Sequence, residues 1–590
     1  MSLKDENLSK PTALFLERMN YNLALRTFRG SGGGFFYSGQ FSKTNPRLKP
    51  RDLANENLHT LCSCSQKASV CLRNRPTFSS EHSLPEIKTK YLKKSKFSTT
   101  AISKCSSSEG RNGKYREQRL EALGKVSYPH KFAPTLDIPT FHKRYQEVTC
   151  NGSGLAEERL GGMVVGVREA SKRLRFIDLE GQGGLVQLKV DSRACNCDGS
   201  LLRRGDRVGA AGRAVRTKAG ELSLATTSLE LLAPCLRNIP SQGFQSSSKR
   251  LQRRYLDLMT SKEARHVLVM RGQIISHFRN FLQSRGFLEV ETPVLSSSVG
   301  GAAARPFVCH HHAMDSQLFL RVAPELFLKQ LVIGGLDRVF EIGKQFRNEG
   351  VDQSHNPEFT SCEFYQAWAD YEDLAVTTQK LLSSLVTDLE LEPTHRGKPL
   401  DFVTDYQRLE YLPTLEAALG VTLAPVEDLE TEGSLKQLQQ LCRRENLDPE
   451  GSAVRLLDRL SGSKVEPGLV QPTLLFHHPT IMSPLAKQHR DISGIAERFE
   501  LFVAGQEVCN AYTELNDPEA QRQAFAAQAD SSDPEAMLPD EAFCTALEYG
   551  LPPTAGWGCG MDRLTAILTG QNHIRDTLAF PLVGKPTDPR

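Results

Sequence analysis

The sequence predicts an α+β protein in which a small all-β barrel precedes a larger domain built on an antiparallel sheet. Between residues 158 and 235, short runs with alternating apolar residues follow one another, separated by Gly or charged turns. Beyond residue 260, strand-like runs return through hairpins, and helical segments lie between them. Residues 1–110 show neither the alternation of strands nor the apolar spacing of helices. We therefore expect four segments: a disordered basic leader at 1–110, a helical lead-in at 111–150, the barrel at 151–240 and the larger domain at 241–590.

The composition is that of a globular protein. The chain has 590 residues, of which 39% are hydrophobic and 24% charged, so it can form several domains with a large buried core. No apolar run approaches the roughly 18 residues needed to span a bilayer, and we expect no membrane segment. The 14 cysteines are scattered, and no clear secretory signal precedes them. This pattern predicts reduced thiols and a cytoplasmic location.

The leader is the basic part of the chain. Residues 1–110 carry 18 Lys+Arg against 8 Asp+Glu, whereas the remaining residues carry 55 against 61. The leader is rich in Ser, Asn and Lys and has little apolar periodicity, which predicts disorder. Two interpretations stay open: a transit peptide that targets mitochondria or another organelle, and a solvated tail. Two acids within the first six residues weigh against the transit peptide.

The barrel follows a short helix predicted at 115–126. Five strand-like runs at 158–235 favour a small closed barrel, and the nucleic-acid-binding OB-fold is one such barrel. Because Phe176 is available for base stacking, we expect single-stranded nucleic acid to bind here. A solvated basic face that binds nothing is the alternative. Basic residues cluster on the predicted turns: Arg168, Lys172, Arg173, Arg203, Arg204, Arg216 and Lys218.

The larger domain begins with a helix. Apolar residues at helical spacing predict it at 264–285, and Gly286 ends it. Alternation then predicts a strand at 284–295, in which Pro293 suits a sheet edge or an interface. Three further stretches predict the rest of the sheet: a long hairpin from 337–350 to 359–371, two strands within 498–515, and a Gly-rich strand end followed by a helix at 556–570.

Arginines and acids recur on the predicted strands and hairpin loops of this sheet. Such residues on one face suit a nucleoside triphosphate with divalent cations, because guanidinium groups bind phosphates bidentately and carboxylates hold Mg²⁺. The sequence has no G-x-x-x-x-G-K-[ST] loop, so side chains would hold the phosphates. The residues alone therefore predict an ATP-using enzyme with a nucleic-acid module. A charged surface that binds nothing is the alternative.

Three stretches carry a family resemblance: GFLEVETPVL at 286–295, the segment FRNEGVDQSHNPEFTSCEFYQAWADY at 346–371, and GWGCGMDR at 556–563. In this order they resemble the three motifs of class II aminoacyl-tRNA synthetases. Within that class, 300–329, 481–490 and 497–518 are similar to lysyl-tRNA synthetases of the eukaryotic type. The resemblance runs from about residue 115 to residue 586. It implies an OB-fold that grips the anticodon, followed by a catalytic domain that forms a dimer.

For ATP and Mg²⁺, the resemblance implies one group of residues along a phosphate path. Arg347 and Arg563 are the implied catalytic residues. Arg347 would hold the ATP α-phosphate and the amino-acid carboxylate, while Arg563 would stack on adenine or reach the γ-phosphate. Glu349 would receive the adenine amino group. The implied ATP-binding residues are Arg347, Glu349, His355, Asn356, Phe359, Glu500, Glu507 and Arg563, and the implied Mg²⁺ ligands are Glu500 and Glu507.

For the amino acid, the resemblance implies lysine. A buried ammonium group needs a carboxylate partner, since an unpaired buried charge costs several kcal/mol. Glu363 matches the position of that partner, and Tyr365 lies beside it in the sequence. The implied lysine-binding residues are Gly301, Glu325, Glu363, Tyr365, Asn510, Tyr512 and Glu514.

The resemblance also implies the reaction and its partners. The implied activity is that of a lysine–tRNA ligase, which activates lysine with ATP to lysyl-adenylate and transfers it to the 3′ end of tRNA(Lys). We expect a homodimer, with a multi-synthetase complex as a further assembly. The alternative is a paralogue that binds tRNA or a partner protein without catalysing. The implied anticodon-binding residues are Arg168, Phe176, Gln187 and Glu221, although Gly162-Met163 stands where the family has a Gly-Arg pair.

Overall fold

The computed structural model describes residues 109–583, apart from gaps at 125–127, 150–152, 198, 241–242, 245, 299 and 531–538. The leader predicted at 1–110 lies outside the described residues, except for its last two positions. Its predicted disorder and its transit-peptide interpretation therefore concern residues that the structure does not describe. Within the described part, no helix combines the length and the hydropathy needed to cross a membrane.

Two helices form the lead-in to the barrel. The helix predicted at 115–126 spans Glu109–Leu123 (α1) and ends before Gly124, whose φ is 61°. On α1, the buried Arg119 donates a hydrogen bond of 2.6 Å to Asp206 of the barrel. The second helix is Ile138–Arg144 (α2), and the side chain of Asp137 caps its N-terminus.

Five strands close into a barrel in the order β1-β2-β3-β5-β4. The first strand is longer than the alternation predicts because its first half pairs with β4 and its second half with β2. The barrel core consists of alternating apolar side chains such as Leu160, Ile177, Leu188 and Leu224. The strands are β1 (Ser153–Ser171), β2 (Leu174–Gly181), β3 (Gly184–Asp191), β4 (Arg207–Arg216) and β5 (Leu222–Ala233).

Three helices lead from the barrel into the larger domain: α3 (Ser247–Gln252), α4 (Arg254–Thr260) and α5 (Lys262–Ser284). The long helix α5 is the one predicted at 264–285, and Gly286 with a φ of 81° follows it. Arg265 of α5 donates a hydrogen bond of 2.7 Å to Glu180 at the end of β2. This ion pair joins the larger domain to the barrel.

The stretch predicted as one strand at 284–295 contributes to two separate sheets. β6 (Leu288–Glu289) pairs with the large sheet, whereas β7 (Leu295–Ser296) pairs with β9 (Ser316–Leu320). β8 (Val308–His311) completes this second sheet. The chain leaves the large sheet in the stretch that contains Pro293, which cannot donate a ladder hydrogen bond.

The large sheet has eight strands in the order β14-β15-β16-β17-β18-β11-β10-β6. Its six central strands are antiparallel, as predicted, but β14 pairs in parallel with β15, and β6 with β10. The predicted hairpins are β10–β11 and β16–β17, and β18 is the predicted Gly-rich strand. The strands are β10 (Arg338–Phe346), β11 (Glu358–Ala367), β14 (Gln407–Glu410), β15 (Thr473–Phe476), β16 (Arg498–Val503), β17 (Gln506–Thr513) and β18 (Thr554–Gly560), with β12 (Thr394–His395) and β13 (Lys398–Pro399) as a separate pair.

Helices cover one face of the large sheet and form the main core with it. Trp557 of β18 stacks on Phe364 of β11 and donates a hydrogen bond of 2.8 Å to Thr378. On the same face, Cys362, Cys559 and Cys509 lie side by side on three neighbouring strands and are buried. The covering helices are α5, α7 (Tyr371–Asp388) and α13 (Met561–Leu568).

The remaining helices flank the sheet. Those inserted between β14 and β15 have a core of their own and were not predicted from the sequence. Others pack beside β10 and β11. They are α6 (Glu325–Ile333), α8 (Tyr411–Leu419), α9 (Glu432–Arg444), α10 (Ala453–Lys464), α11 (Pro518–Asp530) and α12 (Glu541–Leu547).

Candidate active site

Two rows of side chains cross the uncovered face of the large sheet. In the first row, Glu363, Gly558, Asn510 and Glu500 are direct neighbours on β11, β18, β17 and β16. The second row lies two residues further along each strand, so it faces the same side. It contains Tyr365, Gly556, Tyr512 and Arg498. The register of four strands thus brings together residues that are far apart in the sequence.

The alternating glycines of β18 keep the middle of this face open. At Gly556 an added Cβ would overlap the Glu514 carboxylate and lie 2.5 Å from the Tyr365 ring. Between the glycines, Trp557 and Cys559 point into the core. The GWGCG stretch therefore builds a floor of bare backbone on one side and packing on the other.

Above this floor lies a cavity of about 770 Å³. Every residue predicted to bind ATP lines it, and so do six of the seven predicted to bind lysine. The seventh, Glu514, is buried, and its carboxylate occupies the space that a side chain at Gly556 would fill. The predicted residues that line the cavity are Gly301, Glu325, Arg347, Glu349, His355, Asn356, Phe359, Glu363, Tyr365, Glu500, Glu507, Asn510, Tyr512 and Arg563.

Arg347 offers a half-buried cationic group to the cavity. It follows β10 directly, and its guanidinium lies 5.1 Å from the centroid of the Phe359 ring. Among the described residues, its buried Nε atom has no hydrogen-bond partner, and no acid pairs with the guanidinium. Because an unpaired buried charge is costly, this arrangement favours an anionic ligand at Arg347.

The loop of the β10–β11 hairpin is tied to α13. Arg563 donates a hydrogen bond of 3.0 Å to His355 Nε2, and the other ring nitrogen of His355 lies 2.8 Å from Asp352. Burial raises the pKa of Asp352, but hydrogen bonds from His355 and Ser354 outweigh it and lower the pKa to about 2. Next to this network, the side chain of Asn356 is held by the Glu358 carbonyl at 2.6 Å.

Acids gather at the end of the cavity near β16 and β17. Glu500 accepts a hydrogen bond of 2.5 Å from Arg498, and Glu507 accepts one of 3.1 Å from Arg563. Burial raises the pKa of Glu500, but Arg498 and His478 lower it to about 2. Burial and repulsion from Glu500 raise the pKa of Asp458, and they raise that of Glu466 to about 7.

The other end of the cavity is lined by the acids predicted to bind lysine. Glu363 accepts a hydrogen bond of 3.1 Å from Ser361. Burial and repulsion from Glu325 raise the pKa of Glu363 to about 8. Glu325, the first residue of α6, accepts a hydrogen bond of 2.8 Å from the Tyr512 hydroxyl. Gly301, with a φ of 89°, lies against Glu325 and leaves no room for a side chain.

Some residues of this site lie on other elements than the sequence predicts, and others are not predicted from the sequence. Arg563 was predicted on a strand or hairpin loop, but it lies on α13, where the first helical turn turns it back toward the cavity. Arg498 was missed, although its spacing of two from Glu500 on a predicted strand could have revealed it. Asp458 and Glu466 come from the inserted helical segment, and no signal in the sequence points to them.

The four residues predicted to bind the anticodon form one connected group on the barrel. Arg168 is the cross-strand neighbour of Phe176 and pairs with Asp178 at 3.1 Å. Asp178 is in turn the neighbour of Gln187, which donates a hydrogen bond of 2.7 Å to Glu221. Of the basic residues predicted on the turns, Arg216 is engaged with the backbone carbonyls of residues 146, 148 and 220. Its guanidinium ties the segment before β1 to the turn between β4 and β5.

Comparisons with known proteins agree with this geometry. The family model described as tRNA synthetases class II (D, K and N) matches residues 246–584. Lysine–tRNA ligase cla4 of Cladosporium cladosporioides is 43% identical over 488 residues, which cover 78% of this chain and 82% of that protein. The chain belongs to the class II tRNA synthetases, in the lysine–tRNA ligase family.

Other members of the family are similarly related to this synthetase. The probable cytoplasmic lysine–tRNA ligase of Encephalitozoon cuniculi is 43% identical over 78% of this chain and 93% of its own length. The lysine–tRNA ligase of Trichormus variabilis is 37% identical over 79% of this chain and 86% of its own length. Class II lysyl-tRNA synthetases use ATP. The family resemblance read from the three sequence stretches is thereby confirmed.

Proposed function

We propose that the protein is a lysine–tRNA ligase. It activates lysine with ATP to lysyl-adenylate and transfers the lysyl group to the 3′ end of tRNA(Lys). The alternative, a paralogue that binds tRNA or a partner protein without catalysing, has no observation in its favour. The cavity keeps a suitable side chain at every position expected to contact ATP or lysine.

The opposite charges that line one cavity carry this proposal. Arg347 contributes a half-buried guanidinium whose buried Nε atom has no hydrogen-bond partner among the described residues. Glu363 and Glu325 line the cavity, and the buried Glu514 lies against Gly556, which lines it as well. A substrate with an anionic head and a cationic tail fits between them. Lysine is such a molecule, and the triphosphate of ATP suits the arginines.

In the first step, an oxygen of the lysine carboxylate attacks the α-phosphorus of ATP in line. The new O–P bond forms as the bond to the β-phosphate oxygen breaks, and pyrophosphate leaves with that electron pair. No general base is required because the carboxylate is already ionised. Arg347 offsets the charge that develops at the α-phosphate, and Phe359 stacks under adenine while Glu349 accepts its amino group.

In the second step, the terminal ribose hydroxyl of tRNA attacks the carbonyl carbon of the adenylate, and AMP leaves. His355, Asn356 and Arg563 hold the ATP loop in place for both steps. The hydrogen bond from Arg563 to His355 links that loop to α13. Catalysis is therefore mainly placement and charge.

The acids near β16 and β17 fit Mg²⁺. Glu500 and Glu507 would hold it, and repulsion among them, Asp458 and Glu466 indicates a surplus of negative charge that a divalent cation would relieve. Among the described residues, no group of three potential ligands has metal-binding geometry. Mg²⁺ in nucleotide sites takes one or two carboxylates and completes its shell with phosphate oxygens and water. When bound, Mg²⁺ would neutralise part of the charge on departing pyrophosphate.

We assign the closed barrel to the OB-fold class, as the anticodon-binding domain at 151–240. The connected group of Arg168, Phe176, Gln187 and Glu221 supports this role, because it combines an exposed cation, an aromatic face and hydrogen-bonding groups. Met163, which replaces the family's arginine, is buried and cannot contribute a phosphate contact. The catalytic domain is 241–590.

We propose a homodimer in the cytoplasm as the working form. Exposed apolar side chains lie around β6, β7 and β8, including Leu295 and Val308. The Encephalitozoon cuniculi relative is named as cytoplasmic.

A fluorescent protein fused to residues 1–110 would enter mitochondria or another organelle if the leader is a transit peptide. A uniformly cytosolic fusion would leave the tail interpretation. A multi-synthetase complex is a further partner to test by co-purification.

Amino-acid-dependent exchange of pyrophosphate into ATP tests the proposed function. We expect exchange with lysine and Mg²⁺, and none with aspartate or asparagine. Aminoacylation of tRNA(Lys) should follow with the same preparation. Exchange that is absent with every amino acid, or equal for lysine and aspartate, would contradict the proposal.

A further inference from the structure

A lysine of the protein itself, Lys329, is fully buried next to the acids that are expected to bind the substrate lysine. The side chain of Lys329 has no exposed surface, and its ammonium lies 2.6 Å from Glu325 Oε1. The same ammonium forms an ion pair with Glu514 Oε2. The rings of Tyr512 and Phe543 enclose it, with centroids 5.8 and 5.7 Å away. Two of the three acids expected to recognise lysine are thus already paired with an internal lysine.

These ion pairs leave one oxygen of Glu514 in an unusual position. Glu514 Oε1 is buried and has no hydrogen-bond partner among the described residues. It occupies the space that a side chain at Gly556 would fill, beside the Tyr365 ring, and both Gly556 and Tyr365 line the cavity. Burying a carboxylate oxygen without a partner is costly. The position of this oxygen therefore indicates a donor that arrives with the substrate.

We propose that Lys329 is a specificity-determining positioning residue: its ammonium fixes Glu325 and Glu514 at one depth, so that Glu514 Oε1 and Glu363 receive the ammonium of lysine. This inference rests on the proposed function. Lys329 itself is buried and does not line the cavity, so it acts on the substrate only through the two acids. Its i to i+4 spacing from Glu325 on α6 sets its position.

The electrostatics around Lys329 support this role. Burial lowers the pKa of Lys329, but Glu325 and Glu514 outweigh it and raise the pKa, so the ammonium keeps its charge. Burial raises the pKa of Glu514 well above its usual range, and Lys329 opposes that rise. Without Lys329, the pKa of Glu514 would rise further. The titratable and charged groups around them are Glu363 and Tyr365 on β11, Tyr512 on β17, Arg498 on β16, Glu341 on β10 and Arg347.

Replacing Lys329 by Met tests the proposal, because Met keeps the volume and removes the charge. In lysine-dependent pyrophosphate exchange with the full-length protein, we expect Lys329→Met to raise the KM for lysine by about tenfold or more at neutral pH. The KM for ATP should stay within about twofold. The defect for lysine should shrink as the pH rises, because Glu514 then loses its proton. Discrimination between lysine and neutral 6-hydroxynorleucine should weaken.

Two further variants separate positioning from folding. Lys436→Met removes an exposed lysine with the same i to i+4 spacing from an acid, Glu432, and should behave as wild type. If Lys329→Met does not fold, Lys329→Met combined with Glu325→Gln removes the charge pair together. That double variant should raise the KM for lysine further than Glu325→Gln alone, because Lys329 also fixes Glu514.

Three outcomes would overturn the positioning role. One is an unchanged KM for lysine in Lys329→Met. Another is an equal loss for lysine and ATP at every pH, which indicates a structural role only. The third is a lower KM for lysine, which would make Lys329 a competitor of the substrate. Failure of the wild-type protein to exchange with lysine would instead contradict the proposed function.

Discussion

At the scale of single residues, we expect the proposed lysine end of the cavity to depend on Glu363. Burial and repulsion from Glu325 raise the pKa of its carboxyl group to about 8. Without substrate, the site therefore carries less negative charge than the three acids Glu325, Glu363 and Glu514 would suggest. The ammonium of lysine would draw Glu363 into its ionised form. Recognition of the substrate and loss of a proton are then one event.

Replacing Glu363 by Gln should weaken lysine binding. The amide keeps the volume and the hydrogen-bonding capacity but removes the charge, and charge-assisted hydrogen bonds are worth roughly 1.5–3 kcal/mol. We expect the KM for lysine to rise by about ten- to a hundredfold, with little change for ATP. Glu358→Gln, at an exposed acid on the same strand, is the matched control. A variant whose KM rises for ATP alone would show that the site is misplaced.

The pH dependence of the KM for lysine follows from the same carboxyl group. Below a pH of about 8, Glu363 of the empty enzyme is mostly protonated, so binding the ammonium must release that proton. The KM should therefore fall as the pH rises, by up to about tenfold per pH unit, and level off above about pH 8. Steady-state exchange kinetics across this range measure it. The Glu363→Gln variant should lose this dependence, and a flat profile in the wild type would refute it.

At the scale of elements, β18 determines the shape of the site. Its glycines face the cavity, while Trp557 and Cys559 face the core, so one seven-residue strand separates chemistry from packing. The neighbouring strands supply all the polar side chains of the two rows. A side chain in the middle of β18 would occupy the space that the substrate needs.

Replacing Gly556 by Ala should damage the lysine end specifically. The new methyl group would overlap the Glu514 carboxylate and press on the Tyr365 ring, so both must move. We expect the KM for lysine to rise by at least about tenfold, because the shift displaces an ion-paired carboxylate. Gly433→Ala on α9, where nothing lies within 4 Å of the new atom, is the control. Thermal unfolding checks that both variants fold, and normal lysine kinetics in Gly556→Ala would exclude this account of the floor.

The sequence predicts those elements whose partners are close along the chain. The β10–β11 and β16–β17 hairpins and the β18–α13 turn each lie within one stretch of alternating residues, so local patterns suffice. The parallel pair β14–β15 joins strands separated by the whole inserted helical segment, and no local pattern reports it. For the same reason the ion pair between Lys329 and Glu514 is invisible in the sequence, since 185 positions separate the two residues.

At the scale of the whole molecule, the uncovered apolar surface near β7 and β8 predicts a dimer. Leu295 and Val308 are 49% and 57% exposed, and Leu288 and Val294 lie nearby in the same region of the chain. Covering them would bury an apolar patch, as in symmetric dimers. Light scattering at micromolar concentration should therefore give twice the mass of the chain.

Charged substitutions on that surface should separate the subunits. We expect Leu295→Arg with Val308→Arg to give a monomer, because each arginine would have to be buried without a partner. Val376→Arg on α7, at a position that is 51% exposed, should leave the dimer intact. A fully active wild-type monomer, or a double variant that stays dimeric, would rule out this interface.

The three buried thiols on the core face of the large sheet can report how often the sheet opens transiently. Burial raises the pKa values of Cys362 and Cys509 well above the usual range, which makes them poor nucleophiles while the sheet is closed. Iodoacetamide should label the exposed Cys197 at once, and it should reach the buried row only during transient openings. The slow labelling rate then reports the free energy of opening beneath the site. ATP and lysine together should slow the labelling of these buried thiols, and the slowing should be greater the more tightly the two ligands bind the closed form.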